Sequence, residues 1–514
     1  MKAQNVKKSL TLITLLLLVV SASFAQKQIE YRSERGQIRP ESPDDITLID
    51  NVVFVHNGMT MYCDSAIYNK KDNYFFAYKN IIMVDKGTRL SGDELQYYGN
   101  DKVGHLYGKK VLLEDDDVTM QTDYLLLDRN DNTVRYVSGA DIWDKENTLT
   151  SKEGIYYIDD KMFYFLFSVE MTSPDAVMTT DTLIYYSKNK QADFFGKTNI
   201  NTNDSIKVFA TKGSYNTKSE EIYSEQRPEI YTEDQYITGD TLYYHKKDKR
   251  GYGYGNLYIR DTVEDVILMC DSVVLNTIDT LSVATITGNI CCKQIDNGDT
   301  LYFHSDTLRV EMDTSFSIHD IYAFYHCKFY RQDMQGAAEF CHYVVEDSML
   351  TMLIRPIIWN EESQLTSDTI QLEANKDGVK KIYMYPNPLV VQNSDTLTEQ
   401  YFNQVIGKNL EGWFEKNNIK YAEVQGNAQI VYYLWDDGKN KKEKELTGVN
   451  IGQSKQLNLH FQSGEIKKIT AVTNPYYYID SDENISEEIK RLKGFVWNIS
   501  DKPLTPMDIF IHRQ

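Results

Sequence analysis

Proline is scarce in this chain, ten among 514 residues, which excludes a proline-rich linker or polyproline arm. Cysteine is scarcer: Cys63, Cys270, Cys291, Cys292, Cys327 and Cys341 are too few and too unevenly spaced for a small disulfide scaffold, and none forms a CxxC pair. Basic charge is in deficit, 55 Lys and Arg against 75 Asp and Glu, a formal net charge of −20. No basic face large enough for nucleic acid is implied. Beyond the N-terminus no stretch approaches the roughly 18 apolar residues of a membrane-spanning helix. Catalytic signatures are also missing: there is no Gly-x-Ser-x-Gly, no HExxH and no phosphate loop, and the nine His are scattered. What the chain has in excess is tyrosine, 38 against 20 Phe. Tyr with Val, Ile and Thr favours strands. With 41% hydrophobic and 25% charged residues the bulk is globular, and length alone suggests about three domains.

Residues 1–25 read as a secretory signal peptide. Lys2, Lys7 and Lys8 form a positive start, 10–20 an apolar core, and Ser23-Phe24-Ala25 a small-x-small cleavage site. The apolar core is too short for a comfortable span, and no Cys follows Ala25 to carry a lipid. The expectation is a soluble, exported chain beginning near Gln26, with 26–44 as a lead-in.

Short segments then recur: Cys63-Asp64-Ser65-Ala66, Gly92-Asp93-Glu94-Leu95-Gln96-Tyr97, Thr122-Asp123-Tyr124-Leu125, Thr180-Asp181-Thr182-Leu183, Gly239-Asp240-Thr241-Leu242, Cys270-Asp271-Ser272-Val273, Ser305-Asp306-Thr307-Leu308 and Ser367-Asp368-Thr369-Ile370. Lys152-Glu153-Gly154-Ile155 aligns with them if Glu153 takes the Asp place. The interval is roughly thirty residues, and a second signature, Asn80-Ile81, Gly255-Asn256 and Gly288-Asn289, lies between. A period of that length overrides the three-domain estimate and implies a repeat architecture. Residues 45–375 are read as the array and 376–514 as a C-terminal portion.

After each Asp the apolar residues alternate, so one face points in and the other out. The inward set is Leu95, Tyr97, Leu125, Leu127, Ile155, Tyr157, Leu183, Tyr185, Leu242, Tyr244, Val273, Leu275 and Leu308. A single repeat cannot bury such a face; stacked repeats can. The fold class expected is therefore all-β, an elongated array of facing or folded sheets with a small α+β C-terminal portion. Its ends must be capped or must pair, which makes end-to-end self-association an expectation. Thr398–Val405 and Ser486–Leu492 read as short helices, the second stopped by Gly494.

The repeated turn–Gly-Asp-x-Leu-x-Tyr…Gly-Asn unit resembles the OstA/LptA-like family of periplasmic lipopolysaccharide-transport proteins. So do Gln404-Val405-Ile406-Gly407-Lys408-Asn409-Leu410, Val424-Gln425-Gly426-Asn427-Ala428 and Leu492-Lys493-Gly494-Phe495-Val496-Trp497, the last resembling the ending of a long OstA-like subgroup. The resemblance covers roughly 45–500. It implies a β-jellyroll or "β-taco" whose apolar cleft holds the acyl chains of lipid A. It also implies a periplasmic location, possible association with the outer membrane, and partners among the other lipopolysaccharide-transport proteins of the inner and outer membranes. No long series of lipid-facing strands closes the chain, so a membrane barrel is not expected.

An acidic chain can still take an anionic lipid. Like charges about 10 Å apart in water repel by only about 0.4 kcal/mol, whereas burying a twelve-carbon tail contributes about 10 kcal/mol. The same apolar columns would equally fill a dry core, and the sequence leaves both open. The Asp column is read as turn formers at strand entry rather than as calcium ligands, which cluster within one loop. Asp-(Ser/Thr)-aliphatic triplets, including those around Thr182, Thr241 and Thr307, resemble an O-glycosylation acceptor of some Gram-negative bacteria, and alternation points those three threonines outward. Further copies include 204–206, 261–263, 279–281 and 395–397. His326-Cys327 and Cys341-His342 face opposite sides of a strand within each pair, which argues against zinc, and no cofactor is expected. Cys327 and Cys341 have a hairpin-compatible separation. The function expected is a non-enzymatic carrier; the alternatives are a polysaccharide-active β-solenoid enzyme, which needs a local carboxylate cluster breaking the repeat, and an envelope scaffold or adhesin.

Overall fold

The computed structural model describes residues 28–511 apart from 117, 297–298, 376–377, 396–399, 416–417, 438–443 and 463–464. The expected leader, its cleavage after Ala25 and part of the triplet at 395–397 lie outside the described residues. The described residues are almost wholly antiparallel β-strand, as the alternation requires; helix is confined to Glu487–Lys490 and to the 3₁₀ turns Asp482–Asn484 and Pro506–Phe510. The chain divides into two compact units, one ending at Glu220 and the other starting at Glu221.

In the first unit, strands such as Ser42–His56, Met59–Asn69, Tyr74–Asp85 and Thr88–Tyr98 follow one another as hairpins. Each bends in the middle. Tyr62 pairs with Ile82 and Ser65 with Tyr78, so one strand advances three residues where its neighbour advances four. The extra residue is taken up by a left-handed pair, Lys79 (φ 65°) and Asn80 (φ 48°). The bend divides every ladder into two leaves. Leaf one carries the Leu-x-Tyr half after each Asp, for example 65–69 and 94–98; leaf two carries the other half, for example 59–63 and 81–85.

The recurrent aspartates sit at these bends: Asp64, Asp93, Asp123, Asp181 and Asp271 within a continuous strand, and Asp240, Asp306 and Asp368 at strand entry as the sequence suggested. Asn80 donates to Asp64 Oδ2 at 2.8 Å, and the Lys109 and Lys197 backbone N–H groups donate to Asp93 and Asp181 at 3.0 and 3.2 Å. The second unit repeats the device: Asn256 donates to Asp240 at 2.9 Å, Asn289 to Asp271 at 2.7 Å and Asn387 to Asp368 at 3.0 Å. Glycine recurs before the Asn because a Cβ on Gly255 (φ 75°) would lie 2.4 Å from the Asp240 carboxylate.

Once the bends are placed, one inward assignment changes. The backbone N–H of Lys152 bonds Phe167 O, as that of Asp240 bonds Gly255 O, so Lys152 and not Glu153 holds the bend. The inward residues of that strand are Gly154 and Tyr156; Ile155 and Tyr157 are half-buried on the outer face. The cause is a missing side chain. Gly154 takes the Leu place because the Tyr136 ring already fills it, and a Cβ there would meet the ring at 2.5–2.7 Å.

The first unit's leaves close on each other. Phe54 of leaf two stacks on Phe75 of leaf one at 3.8 Å. At the mouth opposite the bends, leaf-two carboxylates latch onto leaf-one tips. Asp85 pairs with Arg129 at 2.9 Å; Asp115 takes the Tyr156 hydroxyl and Lys161; Asp144 takes the Tyr185 hydroxyl at 2.7 Å and Lys190 at 2.8 Å. The Asp115 and Asp144 side chains are 1% exposed. Burial alone would raise the Asp144 carboxyl, but Lys190, the backbone N–H groups of Glu146 and Asn147, and the Tyr185 hydroxyl outweigh it and hold it down at about 2.

The second unit keeps the bends but adds a strap. Residues 485–511 run over the outer face of leaf two, fastened by glutamines buried in strands Ser363–Thr366 and Phe402–Ile406. Gln404 donates to Lys490 O at 2.7 Å and accepts from Leu492 N–H at 2.8 Å; Gln364 donates to Val496 O at 2.8 Å and accepts from Asn498 N–H at 2.6 Å. Each amide thus matches a backbone donor and acceptor, as a strand neighbour would. Trp359 Nε1 donates to Asn498 O at 3.0 Å, and Phe402 packs on Phe495 and Trp497 at 5.4 and 5.2 Å. Of the helix expected over Thr398–Val405, positions 398–399 lie outside the described residues and the rest leads into the strand Phe402–Ile406, because alternate residues serve two buried faces: Phe402 and Gln404 meet the strap, and Val405 meets the interior. The helix expected at Ser486–Leu492 forms over Glu487–Lys490.

Two outcomes follow. Asp144 has its folded pKa depressed, so its contribution is present above pH 3.8 and is lost as pH falls toward about 2. Between those values the wild type should lose about 2 kcal/mol more than Asp144→Asn, read from urea midpoints across that window. Gln404→Ala strips the strap of paired bonds at a site 0% exposed and should lower stability by about 2–3 kcal/mol. Limited proteolysis should then cut within 485–511 before any strand of the second unit.

Candidate functional site: an apolar inner face

The inner face of the bent ladder is the feature that runs along each unit, and it differs between them. In the first unit Leu95, Tyr97, Leu125, Leu127, Leu183 and Tyr185 are all 3% exposed or less. Tyr97 hydrogen-bonds His56 at 2.8 Å, and burial pushes its hydroxyl up to about 12. Burial, reinforced by the Asp115 and Asp144 carboxylates, likewise raises the Tyr156 and Tyr185 hydroxyls, which therefore remain donors. This interior is a packed core behind a latched mouth.

In the second unit a core also exists, with Leu257, Ile286, Leu308, Ile358, Ile370 and Leu410 in one buried cluster drawn from both leaves. Alongside it, however, inward residues are only half-buried. Leu242, Tyr244, Val273 and Leu275 are in that state, as are Leu268, Leu301 and Phe303, which the sequence did not single out. The strand Val266–Ile278 is partly exposed on both faces along most of its length. Leu308 alone of the second unit's expected lining residues is buried, at 5%. The structure thus brings Leu242, Val273 and Leu275 to the rim of one apolar cluster; it sets Ile155 and Tyr157 on an outer face.

Other constellations separate. His326 pairs with Asp306 at 2.8 Å and His342 with Asp320 at 2.6 Å, and no group of three or more His, Cys, Asp or Glu among the described residues is placed to hold a metal ion. Cys327 and Cys341 are buried thiols hydrogen-bonded to each other; that bond and burial raise the Cys341 thiol. Burial also pushes Cys63 up to about 12 and Cys270 up to about 11, so neither is a ready nucleophile. Thr182, Thr241 and Thr307 follow their bend aspartates and are half-buried, whereas Ser205, Thr262 and Thr280 of the same triplet type lie exposed outside the strands. No helix of the described residues is long and apolar enough to cross a membrane.

The sequence missed Gln364 and Gln404. A signal was present, a glutamine beside an apolar neighbour in a short strand, but its partner lies about ninety to one hundred and thirty residues away. Nothing local encodes that meeting.

Comparison with known proteins bears on the first unit. No curated protein matches the chain. Among solved structures it is similar to LptH of Pseudomonas aeruginosa, described as the LptA-homologous periplasmic component of the lipopolysaccharide transport device. The identity is 13%, over 29% of this chain and 93% of that one, with a TM-score of 0.21. The family described as OstA-like protein matches residues 28–181, within the first unit, and over those residues the chain is OstA-like.

Proposed function

We propose that this protein is a non-enzymatic lipid carrier of the cell envelope, acting in lipopolysaccharide transport and outer-membrane assembly. In this reading it is exported to the periplasm and works with the other proteins of that transport route. The observation that carries the reading is the half-open apolar inner face of the second unit, from Leu242 and Tyr244 through Val273 and Leu275 to Leu301 and Phe303. The OstA-like match over 28–181 supports it. A hydrocarbon tail laid there would complete the burial that the protein leaves unfinished, at about 0.8 kcal/mol per methylene.

The test is native mass spectrometry of the mature protein with and without lipid extract from its own host. Retention of a ligand of lipid A size is the expected result. Val273→Asp, which places a charge at the half-open face, should weaken retention at least tenfold while leaving the melting temperature within a few degrees. Protein that stays empty, or Val273→Asp protein that retains the ligand unchanged, refutes the carrier reading. We propose in addition that Thr182, Thr241 and Thr307 are O-glycosylated; intact-mass measurement on protein from its own host should then exceed the unmodified mature mass, and a single unmodified species rules this out.

A further inference from the structure

Where a solvated sheet face is ordinarily polar, the outer face of leaf one in the first unit is aromatic. Tyr74 meets Phe76 at 5.2 Å, Phe76 meets Tyr98 at 6.3 Å, Tyr98 meets His105 at 6.1 Å, His105 meets Tyr124 at 6.2 Å and Tyr124 meets Tyr107 at 5.0 Å. Six rings therefore run without a break across four strands. Tyr107 is 37% exposed and the others are half-buried. Cross-strand aromatic pairs stabilise a sheet, and each accounts for about 1 kcal/mol at most. Sheet stability alone does not explain why the rings gather with hydrogen-bonding groups.

Those groups lie in the same register. Gln96 pairs with Phe76 on one side and His105 on the other, so an amide stands inside the row of rings. His105 Nδ1 and the Tyr124 hydroxyl share a hydrogen bond of 2.9 Å, which fixes both rings. Beside them a shallow groove of about 400 Å³ is lined by Asp93, Glu94, Gln96, Tyr107 and Gly108. A continuous aromatic platform edged by an amide and two carboxylates suits one ligand chemistry. Sugar rings offer an apolar C–H face that stacks on an aromatic ring and equatorial hydroxyls that donate to carboxylates and amides.

We propose that this face binds a neutral polysaccharide chain. Charge argues against the other occupants. Asp93 and Glu94, at contact distance from anything laid in the groove, oppose an anionic polysaccharide or an anionic bilayer. Uncharged hydroxyls meet no such opposition. The platform belongs to the outer face of the first unit, and its function is independent of any lipid at the inner face of the second.

Native affinity electrophoresis tests it, using the full mature chain in gels containing dextran, hydroxyethylcellulose or no polysaccharide. Retardation in at least one polysaccharide gel is expected. Tyr98→Ser with Tyr124→Ser should weaken the apparent affinity at least tenfold, Tyr98→Phe should keep it, and Gln96→Ala should fall between. Circular dichroism and melting temperature check that the variants fold; Tyr107→Ser, at the most exposed ring, replaces the double variant if that one does not. Equal mobility in all three gels overturns the proposal, and so does retardation that survives the ring substitutions. Co-sedimentation with phosphatidylcholine vesicles that the ring substitutions abolish, in place of polysaccharide retardation, also overturns it and identifies the face as a membrane contact.

Discussion

The hydrogen bond between a bend aspartate and the bulge residue sixteen to nineteen positions onward governs the rest of the structure. A strand of eleven to fifteen residues in a flat ladder would show one face to water along its full length. At bends such as Lys79–Asn80 and Gly255–Asn256 two residues at positive φ fold it, and non-glycine residues resist that conformation by about 1–2 kcal/mol each. A carboxylate that accepts a hydrogen bond there recovers an amount of similar size, about 1.5–3 kcal/mol before solvent screening of an exposed group. The balance is close, so residue choice decides it: glycine removes the steric term, and asparagine both tolerates the conformation and supplies the donor. That is the physical content of the Asp and Gly-Asn signatures, and it explains why they alternate along the chain.

Folding the strands creates an interior, and the two units treat its open side differently. The first shuts it with buried ionic latches. Asp115 and Asp144 are each held by a tyrosine hydroxyl and a lysine, so their charge is matched where water is absent. An unmatched carboxylate at the same depth would lose several kcal/mol. The second unit uses its own C-terminal segment, but on the outer face of leaf two, where it shields Trp359, Val391 and Phe402 and leaves the inner columns partly uncovered. Closure and opening are thus properties of what is added around a common ladder.

The common ladder is the part that was legible in the sequence. Leu95, Tyr97, Leu125, Leu127, Leu183 and Tyr185 could be placed inward because alternation is local and the period was long enough to set the phase. The phase failed at Ile155 and Tyr157, where Gly154 yields its place to Tyr136 from a neighbouring strand. The outer-face aromatics are a related case: alternation says that Phe76, Tyr98 and Tyr124 point out, but not that they meet. Their meeting depends on register, which the bends set. The strap was illegible for a stronger reason, since Gln404 and Lys490 are joined only by tertiary packing.

Under the proposed carrier function, the uneven closure of the two units has a physical meaning. A ladder selected only for stability would bury its columns throughout, because each half-exposed leucine or valine forgoes about 1 kcal/mol that closure would supply. The first unit reaches that limit with side chains at 0–3% exposure. The second, built on the same bends and with a strap long enough to cover a face, leaves Leu242, Val273, Leu275, Leu301 and Phe303 short of it. Several such residues together withhold a few kcal/mol. A fold that can close and does not leaves an apolar surface of the kind the proposed carrier function requires.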